Sequence, residues 1–364
     1  MKPNWLPSSS EMVETRKPRS GLTIYDVARH AGLSIASVSR VLTGSGNPRP
    51  ETRERVMLAV RELGYIPDGA ARALSNGLKE VVGVVFRRGD DLGFEDEAES
   101  PLFDEVVTRG IEASAQRTGF DVLISMIGTG DAMVRLSALA GKTDGLILHD
   151  RLISGTALAR LAAQLPVVIL VGKSSPETMS VSSDNQAGMR ALIRHLVVDH
   201  GYRSIGYISG HADSPDSLAR AAALEIEARH LVARVITGPR WTGDYSARGG
   251  ARVIATVLGA DRKLPRAIVC ANDQTAIGVL HALDQRGIRV PGQVAVTGFD
   301  DVAVARHLHP TLTTVRQPIR EMGVIAFDLL HAAITGAAVA QRNVVLPVEL
   351  VVRESCGCRG SRRR

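Results

Sequence analysis

The sequence has no long hydrophobic run and no secretory signal. None of its 364 residues belongs to a stretch of about eighteen apolar residues, which excludes a transmembrane helix and a membrane partner. The first twenty residues carry basic side chains but no apolar core, so they are not a secretory signal. We predict a disordered basic tail over residues 1–21 and a cytoplasmic location.

Cysteine is also scarce, with three residues in the chain, as expected in a reducing compartment. Cys270 lies in an apolar run and is predicted to be a packed thiol. Cys356 and Cys358 are separated by one residue, which is too short for the usual zinc knuckle, and no second cysteine pair exists. We interpret this pair as an incidental reduced part of a basic tail over residues 356–364.

Catalytic, nucleotide-binding and metal-binding signatures are missing as well. No Gly-x-Gly-x-x-Gly follows a strand, and neither a P-loop nor a Gly-x-Ser-x-Gly elbow occurs. The histidines are scattered, and neither His195 with His200 nor His307 with His309 has a third ligand at metal-like spacing. We therefore expect no metal, no cofactor and no enzyme activity.

The positive charge is unevenly distributed. Residues 1–79 hold 12 Lys and Arg against 7 Asp and Glu, a net charge of +5 within a total of +6. The last six residues add four arginines, so residues 80–358 carry a net charge of −3. A basic head on a mildly acidic body favours contact between the head and a polyanion, although arginine-rich composition alone would give a similar balance.

Two short helices with a tight turn are predicted over residues 22–42. Thr23 followed by Asp26 is a capping-box-like start, with Asp in the place of the usual Glu. Gly32 ends the first helix, and Ser34 is a good N-cap for the second. The inward positions follow the helical period: Val27, Ala28, Ala31, Val38, Val41 and Leu42. This is the helix-turn-helix pattern, and the all-α head is predicted to span residues 22–67.

A third helix is predicted after Pro50, with an apolar stripe at Val56, Val60 and Leu63. Arg49 occupies its cap position, where it is a poor capping residue. Gly64 ends the helix, and a second short helical pattern then leads to Leu74. We assign residues 68–79 to a hinge helix and linker.

The head resembles that of the LacI/GalR regulators over about fifty residues in register. The similarity is carried by Thr23-Ile24-Tyr25-Asp26-Val27-Ala28, Ala31-Gly32-Leu33-Ser34, Val38-Ser39-Arg40-Val41-Leu42, Leu63-Gly64-Tyr65 and Ala71-Arg72-Ala73-Leu74. In such a head the second helix enters the major groove of DNA.

The resemblance implies roles for individual residues. Base edges would be contacted by Ile35, Ala36 and Arg40, of which Arg40 can form two hydrogen bonds to guanine. Phosphates would be contacted by Tyr25, Ser37, Ser39 and Arg53. Leu74 would be a hinge leucine inserted into the minor groove. Alternatively, Ile35 and Ala36 are ordinary helix surface and Leu74 packs on the core.

From Val81 onward, short apolar runs alternate with amphipathic helical stretches, which predicts a doubly wound α/β body. The predicted buried strands are Val81–Phe86, Val122–Met126, Gly145–His149, Val167–Val171, Ile205–Ser209, Val232–Thr237, Ala267–Ala271 and Val294–Thr297. Helices are predicted, for example, over Phe103–Arg117, Gln186–Asp199, Ala247–Leu258 and Gln274–Arg286. Two such sheets leave a cleft suited to a small molecule.

The body resembles the LacI/GalR sensor domain, which is similar to periplasmic sugar-binding proteins of type I. The matching runs include Asp144-Gly145-Leu146-Ile147, Ala271-Asn272-Asp273, Gly298-Phe299-Asp300-Asp301 and Pro310-Thr311-Leu312-Thr313-Thr314-Val315. The resemblance implies a two-lobed domain over residues 80–355. Lobe 1 would hold about 80–178 plus 309–338, and lobe 2 about 179–308 plus 339–355.

Effector-binding residues follow from the same resemblance. They are Phe103, Asp184, Arg220, Tyr245 and Asp273, where aromatic faces would pack on the ligand and charged groups would hold its polar edge. The alternative is that these residues cap strand ends or form structural salt bridges. A charged insert over residues 87–100 would lie near the cleft mouth, either as a solvated loop or as a gate.

The resulting hypothesis is a transcriptional regulator, by family default a repressor, that binds a near-palindromic DNA operator as a homodimer. A small-molecule effector, most commonly a sugar or related polar metabolite in this family, would control it allosterically. A solute-binding protein would explain the body equally well, but not the head or the missing signal. An α/β enzyme has no motif to support it.

Overall fold

The computed structural model describes residues 21–44, 46–66, 77–87, 102–128, 130–149, 152–153, 155–172, 175–260 and 263–358. The chain divides into two compact units, residues 1–79 and 80–364. Leu74, residues 1–20 of the predicted tail, nearly all of the charged insert and residues 359–364 lie outside the described residues.

The first unit contains the three predicted helices: α1 (Ile24–Ala31), α2 (Ile35–Thr43) and α3 (Pro50–Leu63). The Asp26 carboxylate accepts from the backbone N–H and the hydroxyl of Thr23 at 2.9 and 2.7 Å, so Asp does serve in the capping box. Ser34 caps α2 by accepting from the Ser37 backbone N–H. Gly32 ends α1 in the left-handed conformation that glycine adopts most easily.

A small apolar core holds the three helices together. It consists of Val27, Ala28, Ala31, Val38, Val41, Val56 and Ala59, with Leu42, Val60 and Leu63 packed against it. Two polar contacts tie α3 to α1. Arg55 donates to the Ala31 carbonyl at the end of α1 at 2.6 Å, and His30 lies 2.7 Å from Glu62. The turn between α1 and α2 is therefore fixed by the third helix.

Lobe 1 of the second unit is built on a six-stranded parallel sheet of order β11-β5-β4-β3-β1-β2. The strands are β1 (Val81–Arg87), β2 (Asp121–Ile127), β3 (Gly145–His149), β4 (Val167–Leu170), β5 (Met179–Ser183) and β11 (Asn343–Leu346). The helices are α4 (Leu102–Thr118), α5 (Ala132–Ala140), α6 (Gly155–Ala162) and α11 (Ile319–Thr335). Separate apolar clusters cover the two faces, as a doubly wound sheet requires.

Lobe 2 is built on a four-stranded parallel sheet of order β7-β6-β8-β9. The strands are β6 (Ser204–Ile208), β7 (Arg234–Ile236), β8 (Ala267–Cys270) and β9 (Ala295–Thr297), with helices α7 (Asn185–Arg194), α8 (Pro215–His230), α9 (Ala247–Gly259) and α10 (Asp273–Asp284). Two short strands, β10 (Thr314–Arg316) and β12 (Glu349–Val351), pair antiparallel beside it. Short 3₁₀ turns occur at Pro239–Trp241 and Ala303–Arg306.

The strand order of the two sheets places the lobe boundaries at positions that differ from those predicted. β5 and β11 belong to the first sheet, so the chain passes between lobes near residues 184 and 347 rather than at 178 and 338. Val315 packs in the core of lobe 2, so residues 309–316 belong there and not to lobe 1. The sequence of β5, MSVSS, is too polar for apolar periodicity to reveal a strand.

The predicted helix Gln186–Asp199 is not regular to its end. It is α-helical to Arg194 and continues as a π-helix over His195–Asp199. Such wide turns are rare and occur frequently at functional sites. Among the described residues, no helix is long and apolar enough to cross a membrane.

Candidate functional sites

Four residues of α2 form one surface of the helix, which we call the reading face: the exposed Ile35, Ala36 and Arg40 and the half-buried Ser39. Because an α-helix turns about 100° per residue, these positions fall within an arc of about 140°. Ile35 is 41% exposed although it is apolar. The Arg40 Nε donates to the Ala36 carbonyl at 3.3 Å, so the guanidinium lies along the helix. The reading face therefore presents apolar and cationic groups side by side.

Of the residues predicted to contact phosphates, Ser39 belongs to the reading face, and Tyr25, Ser37 and Arg53 lie elsewhere in the head. Tyr25, at the start of α1, is 61% exposed, and Arg53, in the first turn of α3, is exposed. Ser37 is half-buried, and its hydroxyl lies 2.9 Å from that of Ser34. Since Tyr25 and Arg53 lie near the N-termini of their helices, the positive ends of the helix dipoles add to the attraction for an anion.

Arg220 of α8 lies at the centre of a buried polar network in lobe 2. Its side chain is almost completely enclosed, with 2% exposure. Nε donates to the Asn185 side-chain oxygen at 2.6 Å, and Nη1 donates to the Ala271 carbonyl at 2.5 Å. The guanidinium carbon lies 3.8 Å above the centre of the Phe299 ring. The guanidinium plane is thus held in one orientation.

Two carboxylates compensate the charge of Arg220. Asp216 lies 3.6 Å from Nη2 and Asp300 lies 4.0 Å from Nη1. Burial lowers the pKa of Arg220, but the nearby carboxylates outweigh burial and raise it. Burial raises the pKa of Asp300 against the opposing effect of Arg220. Asp300 also has a φ of 128°, which is unusual for a residue other than glycine and marks a strained loop.

Asp273, at the start of α10, is fully buried beneath this network. Its two oxygens accept from the Val302 backbone N–H at 2.9 Å and from the Thr314 hydroxyl at 2.5 Å. Burial and the neighbouring Asp300 raise its pKa. Asp273 therefore braces the loop that carries Asp300.

Tyr245 covers the edge of the same region. It has a φ of 69°, and its ring lies against Gly210, where a Cβ would come within 2.1 Å of the ring carbon Cζ. Its hydroxyl lies 3.0 Å from that of Ser214, the N-cap of α8. Burial raises the pKa of this phenol. Gly210 is thus the residue that allows the aromatic ring to approach the end of β6.

The remaining predicted residues lie towards lobe 1. Phe103 packs edge-on against His149 at the end of β3, with 6.3 Å between ring centres. Next to it, burial raises the pKa of Asp104 to about 7. Asp184 follows β5 and caps α7 by accepting from the Ala187 backbone N–H at 2.9 Å.

Two contacts connect the lobes at one end of their sheets. Arg87, at the end of β1, lies 3.0 Å from the carboxylate of Asp213 in lobe 2. The backbone N–H of Leu102 donates to the Gln274 side chain at 3.5 Å, and the Leu102 side chain packs against the lobe 2 core. These contacts cross at the carboxyl ends of the strands, where open α/β sheets bind ligands.

The sequence analysis did not identify three residues of the Arg220 network: Asn185, Asp216 and Asp300. Asp216 could have been predicted from the sequence, because it lies four residues before Arg220 and hence on the same helix face. Asp300 lies in the quoted run Gly298-Phe299-Asp300-Asp301, but only the fold brings it to α8.

A separate cavity of about 510 Å³ lies between α6, β4 and the end of α11. Its lining includes Pro166, Met179, Glu177 and Arg342, and none of the predicted effector residues. We do not place the effector there, because it lacks the convergent polar groups of the Arg220 network.

The interpretation of Cys356 and Cys358 as an incidental tail is wrong. Cys356 is fully buried, and both thiols pack against His195 and His200, the two histidines at the π-helix. The sequence spacing was misleading because the two pairs are about 160 residues apart in the chain and meet only when lobe 2 folds.

Comparisons with known proteins agree with both units. The family described as bacterial regulatory proteins, lacI family, matches residues 23–68. A periplasmic binding protein-like domain matches residues 193–356.

Individual relatives cover almost the whole chain. The HTH-type transcriptional regulator GalS of Salmonella typhimurium strain LT2 is 33% identical over 325 residues, which cover 87% of this chain and 90% of the relative. The crystal structure of the lac repressor dimer bound to operator and the anti-inducer ONPF has a TM-score of 0.78 at 27% identity, covering 92% of this chain and 99% of that one. A complex of the transcriptional regulator CelR with cellobiose has a TM-score of 0.65 at 28% identity, with 92% and 99% covered. The chain therefore belongs to the LacI family of bacterial regulatory proteins and is a transcriptional regulator.

Proposed function

We propose that the protein represses transcription by binding a near-palindromic operator as a homodimer, and that a neutral, hydroxyl-rich small molecule, most simply a sugar, controls this binding. The observation that carries the proposal is the exposed reading face of α2 on a basic head. Its site of action would be the cytoplasm, where the chromosome lies, and we propose no catalytic role for it.

In this proposal Arg40 donates two hydrogen bonds to a guanine, while Ile35 and Ala36 contact apolar groups such as a thymine methyl. Tyr25, Ser37, Ser39 and Arg53 contact phosphates and fix the position of the head without selecting sequence. Leu74 would insert into the minor groove at the operator centre and bend the DNA. The operator-bound lac repressor dimer, which matches 92% of the chain, supports this arrangement.

The charge balance of the Arg220 network supports a neutral ligand. The carboxylates of Asp216 and Asp300 outnumber the single buried cation of Arg220, while burial favours the neutral, protonated form of Asp273. An anionic effector would meet a surplus of negative charge, whereas sugar hydroxyls can donate to carboxylates and accept from the guanidinium. In the proposed complex Phe103 and Tyr245 pack on the apolar ring faces, Asp184 contributes at the lobe crossing, and Asp273 positions Asp300. The cellobiose complex of CelR fits a ligand of this class.

A dimer contact is proposed at the free edge of the lobe 1 sheet. β2 is the last strand of that sheet, and it exposes Leu123, Ile124 and Met126. Val134, in the following helix α5, is 74% exposed. Exposed apolar side chains along the edge strand of a sheet are a liability in a monomer and are typical of an interaction surface.

Selection of genomic DNA fragments by the purified full-length protein, at two salt concentrations, tests the proposal. We expect an enriched near-palindrome and an affinity that falls steeply with salt, since phosphate contacts release counterions. Arg40→Ala should abolish the enrichment at the guanine position. Sequence-blind binding, both alone and with a panel of neutral sugars, would contradict the proposal and favour a solute-binding role.

A further inference from the structure

Four potential metal ligands meet at one side of lobe 2. His195 and His200 lie at the start and just beyond the end of the π-helix, and Cys356 and Cys358 follow β12 at the end of the described chain. Their ligand atoms all lie within 4.8 Å of one another. The cluster is distinct from the Arg220 network and takes no part in the function proposed above.

Four of the six distances between the ligand atoms are close to those of a tetrahedral site. Zinc binds His nitrogen at about 2.0–2.1 Å and Cys sulfur at about 2.3 Å, so neighbouring ligand atoms are roughly 3.3–3.8 Å apart. The His195 Nε2 lies 3.3 Å from the Cys356 Sγ, 3.3 Å from the His200 Nε2 and 3.8 Å from the Cys358 Sγ. The His200 Nε2 lies 3.3 Å from the Cys358 Sγ. Both histidines thus direct the same ring nitrogen towards the two sulfurs.

The surroundings orient these ligands. The other ring nitrogen of His195 lies 2.8 Å from the Asp199 carboxylate, as in the carboxylate–histidine–zinc arrangement of metal sites. The Tyr202 hydroxyl donates to the Cys356 carbonyl at 2.9 Å, and its ring stacks on His200. Gly357 has a φ of 107°, and a Cβ there would come within 2.9 Å of the Tyr202 hydroxyl. Glycine is therefore required for both cysteines to face one centre.

We propose that His195, His200, Cys356 and Cys358 bind one structural Zn²⁺ ion. Two thiolates and two imidazoles at tetrahedral spacing select zinc over hard cations such as Mg²⁺ or Ca²⁺. All four positions are filled by protein, which is typical of a structural rather than a catalytic zinc site. The ion would fasten the chain after β12 to the π-helix that follows α7, closing a loop of about 160 residues that passes through both lobes.

Cobalt substitution of the full-length protein tests this site without any need for DNA or effector. Apoprotein prepared with a chelator and reductant is titrated with Co²⁺, and its absorption spectrum is recorded. We expect one ion per chain, the strong visible bands of tetrahedral cobalt, and a thiolate charge-transfer band, all displaced by one equivalent of Zn²⁺. Metal analysis of protein purified without chelator should find one zinc per chain.

Substitutions locate the site. Cys358→Ser and His200→Asn change the two less buried ligands, so the fold should persist while affinity for Co²⁺ falls at least about 100-fold. Asp199→Asn should weaken binding by about 10- to 100-fold through His195. The controls are Cys270→Ala and His281→Asn, which remove a cysteine and a histidine far from the cluster and should leave the titration unchanged.

Several results would overturn the proposal. One is a titration without a stoichiometric endpoint, and another is a spectrum that Cys358→Ser leaves intact. A third is mass spectrometry that finds a Cys356–Cys358 disulfide in freshly purified protein, because a disulfide cannot supply two thiolates. If a ligand variant does not fold, the test uses the wild type alone. One ion per chain and a lower Tm after chelation would support the site, and the absence of either would contradict it.

Discussion

The head and the sensor differ in how far the side chains that we propose for recognition are already bound within the protein. In the head, Arg40 and Tyr25 are exposed, and Arg40 donates to the Ala36 carbonyl of its own helix. In the sensor, Arg220 is 2% exposed and already bound to side chains, a carbonyl and an aromatic ring. A DNA duplex brings its own acceptors to an exposed surface. A small molecule must instead enter a site whose groups are held in place beforehand, so its recognition residues are also structural ones.

The largest expected effect tests the structural role of Arg220. Arg220→Ala removes the buried cation beside the carboxylates of Asp216 and Asp300, whose remaining hydrogen-bond donors include the neutral side chains of Asn185 and Gln317. This loss of charge compensation should cost about 3–5 kcal/mol in the free energy of unfolding of the sensor. The matched control is Arg252→Ala, whose partner Asp244 lies 2.9 Å away at the surface. That substitution should cost about 0–1 kcal/mol. The free energies of unfolding of both variants are measured by urea unfolding. Equal losses in the two variants would show that the Arg220 network does not stabilise the sensor.

The next effect separates sequence recognition from charge in the head. Arg40→Ala should weaken binding to the selected operator by about 1–3 kcal/mol per half-site and relax the base preference there. Arg53→Ala should weaken binding to all sequences alike and reduce the salt slope by about one. Competition between operator and unrelated DNA, measured at several salt concentrations, distinguishes the effects of the two substitutions. If both variants behave the same, Arg40 does not read a base.

The free energy of unfolding of the sensor should depend on pH through two buried carboxyl groups. Burial raises the pKa of Asp273 to about 8 and that of Asp300 to about 6, from 3.8. Because the folded state holds these protons more tightly than the unfolded state, the sensor is most stable below about pH 4 with respect to these groups. This contribution is lost as pH rises from about 4 towards about 8. Asp273→Asn should flatten the profile measured by urea unfolding, and an unchanged slope would contradict the assignment.

The smallest effect compares helix caps. The Ser34 hydroxyl oxygen accepts from the Ser37 backbone N–H in the head, and that of Ser246 accepts from the Gly249 N–H in the sensor. Each Ser→Ala substitution should cost about 1 kcal/mol. The head has a much smaller core, so the same loss of free energy should lower the melting temperature of the head more than that of the sensor. Unfolding is followed by circular dichroism, and a tryptophan signal reports on the sensor. Equal shifts would mean that the head does not unfold on its own.

The sequence predicted the head almost completely, because its caps, breaks and apolar positions all lie within a few residues of one another. Thr23, Asp26, Gly32 and Ser34 have the roles that local chemistry assigns to them. The body was predicted as a class, but β5 was not predicted, since its polar sequence is held in the sheet by neighbours distant in the chain.

The sites of the sensor were the hardest to predict for the same reason. Arg220 could be named from family resemblance, but Asp300 reaches it across 80 positions of sequence. His195 and Cys356 are 161 residues apart and 3.3 Å apart in space. Spacing rules for metal ligands apply to single loops, so they gave no signal for a site assembled from two ends of a lobe.

The most direct test of the central claim, that separate sites in the two regions are coupled, is operator affinity measured with and without a neutral sugar found by thermal-shift screening. For the wild type we predict a change of about 5- to 150-fold. Arg220→Lys keeps the charge but loses the forked donor geometry, so it should bind operator normally and not respond to the sugar. Arg40→Ala should bind the sugar normally and bind the operator more weakly, by about 1–3 kcal/mol per half-site. An Arg220→Lys protein that responds like the wild type, or an Arg40→Ala protein that no longer binds the sugar, would contradict the account.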